Sequence, residues 1–170
     1  LGEIYTRFMG EAIQFEDLVY EKKRQVMETL FAVEMRALGH HLGLLAEQDR
    51  YARDLPGAGL TRALVEVTAC MPVYRTYLRA FSLTPIERAQ IEEAIQNARR
   101  RNPSLNAACF DFLRDVLLLR EGAHLSPGQR EARLAFVMRW QQFSAPIMAK
   151  GFEDTVLYVY NRLTSLNEVG

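Results

Sequence analysis

Apolar residues recur at steps of three and four along most of this chain, and the alternation of a half-buried strand is nearly absent. Met27, Phe31, Met35, Leu38, Leu42 and Leu45 form one such stripe, a spacing that gathers side chains on a single helix face. The stripe predicts one long helix, stopped at 54–59 by "DLPGAG", whose proline and two glycines together break a helix. A second helix is expected from about Leu60 to Met71, interrupted or kinked at Pro72. Two later helices carry their own start signals. Thr84, Pro85 and Glu87 form a capping box with proline in the first turn, and Ser126, Pro127 and Gln129 repeat the arrangement. Between them, Phe112, Val116 and Leu119 with Leu113 and Leu117 make another apolar face. Only "TVLYVY" at 155–160 has the β-branched and aromatic content of a strand. A lone strand would have no partner, so helix is expected there too. The expected fold is an all-α, bundle-like domain of several helices spanning residues 1–170, with no internal repeat.

The 21 Lys and Arg residues offset 21 Asp and Glu. A net charge of zero gives no electrostatic case for nucleic acid or for an anionic membrane as partner. No apolar run approaches the roughly 18 residues of a membrane span. Cys70 and Cys109 sit in apolar surroundings and form no CxxC, which reads as buried reduced thiols and fits a cytoplasmic location. Without an initiator methionine, and ending at "SLNEVG", the chain is expected to be an excised part of a longer protein.

Few residues suggest chemistry. His40 and His41 are adjacent, so on a helix they point about 100° apart, and His124 lies in a loop; no metal or other cofactor is expected. No phosphate-binding loop, nucleophile elbow or zinc-binding helix motif occurs. "EKKR" at 21–24 reads as a solvated helix face, and "NARRRN" as cations suited to a helix C-terminus. The stretch "APIMAKGFEDTVLYVYNR", 145–162, stands apart: Pro146 and Gly151 suggest a backbone break beside Lys150, Glu153 and Asp154. Adjacent carboxylates do not converge on one bond as a glycosidase pair must. Spacing alone points to a Lys150–Asp154 pair and a helix cap.

"MAKGFEDTVLYVYNRLTSLNEVG", from Met148 to Gly170, closely resembles the sequence of maltooligosyltrehalose synthases, an α-amylase-type family. "LVYEKKRQVM" at 18–27, "ACMPVYRTYLR" at 69–79 and "FDFLRDVLLLR" at 110–120 fit the same family, in family order. The resemblance implies a parent enzyme built on a (β/α)₈ barrel, with this chain as its helical insertion. That enzyme would convert the reducing-end α-1,4 bond of a maltooligosaccharide to an α,α-1,1 bond, leaving a trehalose unit. The reaction is intramolecular transglucosylation through a covalent glycosyl-enzyme intermediate. Its catalytic carboxylates would lie outside this chain, so the chain alone is expected to be inactive. The implied partners are the maltooligosaccharide and the barrel of the same polypeptide. Lys150, Glu153 and Asp154 would hydrogen-bond sugar hydroxyls or brace groups that do, and Tyr158 and Tyr160 would offer stacking surface. Tyr74 and Arg75 also match the family motif, with a structural role as the alternative. Leu157 and Val159 depart from it, standing where a Phe and an Arg are expected, which implies a pocket less aromatic and less cationic than usual. The competing expectation is an independent helical domain that binds a protein partner through an apolar face.

Overall fold

The computed structural model describes residues 14–78, 81–120 and 122–159. Every regular element among them is helical: α1 (Phe15–Thr29), α2 (Ala32–Glu47), α3 (Gly57–Ala69), α4 (Pro85–Arg101), α5 (Ala107–Leu117) and α6 (Pro127–Met148). A π-helical segment (Ala149–Val156) and a last short turn, α7 (Leu157–Val159), continue α6 without a break. The protein is an all-α domain as far as it is described. Among the described residues no helix is long and apolar enough to cross a membrane.

Both capping boxes form as expected. Thr84 accepts from the Glu87 amide at 3.2 Å while Glu87 accepts from the Thr84 amide at 2.9 Å, and Ser126 and Gln129 do the same at the start of α6. Each pair satisfies two amides that a helix start leaves without intrahelical partners. Arg99, Arg100 and Arg101 close α4, where cations suit the helix dipole.

Three expectations about where helices begin and end are corrected. The stripe from Met27 to Leu45 belongs to two helices, not one. Phe31 leaves the helical region (φ −113°, ψ 23°) between α1 and α2. The apolar period runs through the bend because Met27 and Met35 are buried on either side of it. Next, Gly57 and Gly59 do not end a helix but open one. Pro56 is the extended residue before α3, and a Cβ at Gly59 would come within 3.0 Å of the Cys109 sulfur. Finally, Leu119 lies beyond α5 rather than on its apolar face. It has a positive φ of 48°, and its amide bonds to Val116 O while that of Arg120 bonds to Asp115 O. This is a Schellman ending with leucine where glycine is usual, and burial of the Leu119 side chain to 4 % exposure offsets the backbone strain.

The core is a continuous packing of Leu38, Leu42, Leu60, Leu64, Ile91, Leu113, Phe136 and Trp140. The Trp140 indole N–H, buried with its ring, donates to Thr68 Oγ1 at 2.9 Å, and the Thr68 hydroxyl donates in turn to Leu64 O. Both polar atoms are thereby satisfied inside the core.

Helix α1 and the π-helical segment meet at Gly151, which is buried. Gly151 is therefore not the backbone break expected of it; it is the point of closest approach between two helices. A Cβ there would lie 2.9 Å from both Cα and Cγ of Lys23. Backbone cannot swing aside as a side-chain tip can, so Gly151→Ala should force the helices apart. Alanine's better helix propensity recovers about 1 kcal/mol, against an overpacking cost of about 1–3 kcal/mol. The expected outcome in urea unfolding is a net loss of up to about 2 kcal/mol; a stabilised variant would show that the contact is loose.

Candidate functional site

Residues 71–78 form no regular element, yet buried side chains fix their backbone. Gln141 of α6 brackets Leu78, its amide nitrogen donating to Leu78 O at 2.8 Å and its Oε1 accepting from the Leu78 amide at 3.1 Å. Ser144, on the next turn, donates to Tyr74 O at 2.9 Å. Lys23 of α1 donates to Met71 O at 2.8 Å. An irregular segment whose carbonyls are claimed by Lys23, Gln141 and Ser144 behaves as a third partner for α1 and α6, not as a loose connection.

That segment borders a groove of ≈ 760 Å³. Phe15, Tyr20 and Lys23 of α1, Met71 and Tyr74 of the irregular segment, and Phe152 of the π-helical segment line one part of it. Glu93, Asn97, Arg100 and Arg101 of α4 line another. Phe15 and Phe152 meet edge to face with ring centroids 6.0 Å apart. Aromatic faces interspersed with convergent polar groups are the usual make-up of a small-molecule site of this size.

Lys150 and Asp154 pair at 2.5 Å, one turn apart, with side chains 53 % and 49 % exposed. The Asp154 carboxylate holds the Lys150 ammonium's pKa above its ordinary value. Glu153 does not join them. It accepts a hydrogen bond from the Tyr74 hydroxyl, whose pKa is pushed up to about 12 by partial burial and then by that carboxylate. The Thr155 hydroxyl donates to Lys150 O, five residues back, at 2.7 Å, supporting the wider π-helical turn. Tyr158 is 62 % exposed, and Tyr160 lies outside the described residues. Arg75 has its guanidinium 5.5 Å from the centre of the Tyr77 ring.

The reading of "EKKR" as a solvated face is wrong at its centre. Lys23 is only 3 % exposed, and burial lowers its pKa to about 8. The signal was in the phase: Lys23 lies four residues before Met27 and three before Val26, both on the buried face of α1. Burial also raises the nearby Cys70 thiol to about 11, and both cysteines are free.

Two further buried carboxylates went unnoticed in the sequence. Glu66 of α3 accepts from the Tyr20 hydroxyl and from Asn102 Nδ2 at 2.8 Å, with Arg24 Nε at 3.4 Å. Asp49, just past α2, meets Arg133 at 2.5 Å, His124 Nε2 at 3.1 Å and the Tyr51 amide at 2.8 Å. It borders a second, smaller hollow of ≈ 400 Å³ with Asp111, Asp115 and Arg120. No group of three or more His, Cys, Asp or Glu residues among those described is placed to hold a metal ion.

No protein-family model, no curated protein and no solved structure matches the chain. The resemblance of the four segments therefore stands on those segments alone.

Asp49 contributes to the chain's response to acid, beside Glu87 and Glu92, whose pKa values are also lowered. Burial alone would raise its pKa, but the Tyr51 amide, His124 and Arg133 outweigh burial and hold it below the ordinary aspartate value. A depressed folded-state pKa gives stability that is present above the unfolded value of about 3.9 and lost as pH falls through the folded one. Asp49→Asn leaves the Arg133 cation buried without its counter-charge, and should cost about 3–5 kcal/mol near neutral pH. The same variant should flatten the acid limb of stability against pH, measured by denaturant unfolding from about pH 2 to pH 7.

Proposed function

We propose that this chain is the helical part of a glucan-rearranging enzyme of the maltooligosyltrehalose synthase type, inserted in a (β/α)₈-barrel protein of the cytoplasm. The observation that carries the reading is the meeting of three of the four resembling segments around one groove. "LVYEKKRQVM" contributes Lys23, "ACMPVYRTYLR" contributes Met71 and Tyr74, and "MAKGFEDT" contributes Met148 and Phe152. Lys23 touches the other two at once, through the hydrogen bond to Met71 and the close approach of Gly151. Tyr74 and Glu153 join the second segment to the third across 79 residues of sequence. The segment "FDFLRDVLLLR" lies elsewhere, its Asp111, Phe112, Asp115 and Arg120 bordering the hollow beside Asp49.

On this reading the chain holds sugar and leaves bond cleavage to carboxylates of the barrel. Lys150 and Asp154 are half exposed and oppositely charged, so one donates to and the other accepts from sugar hydroxyls. Glu153, oriented by Tyr74, supplies a further acceptor. Lys150, Glu153, Asp154 and Tyr158 stand outside the lining of the groove. On this reading they complete a pocket only together with the barrel, where holding the released glucose and keeping water out favours transfer over hydrolysis. Tyr158 is free to stack on a sugar face at 62 % exposure.

The test compares the chain alone with the same chain in its full reading frame, each incubated with maltopentaose. The chain alone should form no trehalose-terminated product, and the longer protein should form it. Lys150→Ala in the longer protein should lower turnover on the order of tenfold, the effect of losing a charge-assisted hydrogen bond. It should also raise the share of free glucose, because a poorly held sugar escapes before it re-attacks. A reading frame that encodes no barrel, or an unchanged product ratio with a lower melting temperature, would contradict this account.

A further inference from the structure

Lys23 differs from the other lysines of the described chain. Lys22 bonds to Gln25 at the surface, and Lys150 pairs with Asp154. Lys23 is 3 % exposed, and among the described residues no carboxylate stands within ion-pair distance of its ammonium. Its ammonium donates instead to a neutral carbonyl, Met71 O. Burying an ammonium with so little compensation is costly, and proteins relieve the cost by letting the group lose its proton. A neutral lysine amine has a lone pair and is a nucleophile, which an ammonium is not.

The surroundings say what that nucleophile would meet. Lys23 and Met71 both line the ≈ 760 Å³ groove, together with the aromatic rings of Phe15, Tyr20, Tyr74 and Phe152. That volume lies within the range of roughly 300–1,000 Å³ typical of small-ligand sites. Aromatic walls favour a ligand that carries a ring. The charged residues of the lining, Glu16, Glu93, Arg100 and Arg101, are of both signs and give no preference for an anion.

We propose that Lys23 is an amine nucleophile that captures the aldehyde of a ring-bearing ligand in this groove, holding it as an imine. The step balances without a further reagent. The nitrogen lone pair forms a C–N bond to the carbonyl carbon while the C=O π pair moves to oxygen. Proton transfer from nitrogen to oxygen gives the carbinolamine, and loss of water leaves the imine. Reversal by water releases ligand and amine unchanged. The lowered pKa of about 8 keeps a substantial share of Lys23 in the reactive form near neutral pH, against well under one per cent for an ordinary lysine of pKa about 10.4. The inference does not depend on the glucan reading, since it uses only the amine and the groove.

The test treats the chain with pyridoxal, traps imines with borohydride, whose hydride reduces the C=N bond to a secondary amine, and maps the label by peptide mass. Lys23 should be labelled roughly tenfold or more faster than Lys22 and Lys150 at pH 7.5. Its rate should saturate with pyridoxal concentration, as binding in a groove requires, and should level off above about pH 8. Lys22 and Lys150 should show a linear dependence on concentration. Label at Lys22 and Lys150 with Lys23 spared, or a Lys23 rate that never saturates or still climbs through pH 10, would overturn the proposal. The readout is taken on the unaltered chain, so it does not rely on a variant that folds. Lys23→Gln, if folded by circular dichroism, should lose the fast phase and keep the slow one.

Discussion

The arrangement around the groove depends on the close approach of Gly151 to Lys23. With any larger residue at 151 the π-helical segment would stand off from α1, since a Cβ would meet Lys23 backbone at 2.9 Å. Standing off would draw Phe152 from Phe15 and Glu153 from Tyr74, contacts made by the next two residues along. It would also widen the space around the Lys23 side chain and relieve the burial that lowers its pKa. One missing methyl group thus couples helix packing to the chemistry of a buried amine.

That coupling is costly. A lysine pKa lowered from 10.5 to about 8 corresponds to about 3 kcal/mol of penalty for carrying the proton in the folded state. The sign follows from linkage: the unfolded chain binds the proton more tightly, so this group's penalty is complete below about pH 8 and relieved as pH rises towards 10. Buried, well-packed polar groups offset it nearby. Gln141 satisfies both backbone groups of Leu78, Ser144 holds Tyr74 O, and Trp140 bonds Thr68 within the core. All three side chains lie on α6, the helix that runs into the π-helical segment. A stable scaffold therefore stands next to the strained site it carries, and that is where strain can be kept.

Helix-start signals and close side-chain pairs are legible in the sequence, whereas helix limits at "DLPGAG" and Leu119 and contacts between distant residues are not. The capping boxes at Thr84 and Ser126 involve residues three apart, so composition and spacing suffice to find them. The Lys150–Asp154 pair was legible for the same reason. The bend at Leu30–Phe31 was invisible because the apolar period crosses it unbroken, and a change of helix direction leaves no mark on a stripe that stays buried. Gly151 carried a true signal with two meanings. Glycine can end a helix or let another helix come near, and only the neighbour 128 positions away in sequence, Lys23, distinguishes them. Tyr74 and Glu153 are joined across 79 residues, with nothing local to announce the pair. Lys23 was misread because a run of charges suggests solvent, although its phase with Val26 and Met27 marked it as inward-facing.

The central claim, that the groove is organised around a buried lysine with no carboxylate partner among the described residues, is tested most directly by titration of that side chain. With lysine labelled with carbon-13 at Cε, the Lys23 resonance, assigned by its loss in Lys23→Arg, should shift with a midpoint near pH 8. A midpoint near 10.4, the ordinary lysine value, would mean that the Lys23 ammonium is fully solvated or paired with a carboxylate in solution, and the account of the groove would fail.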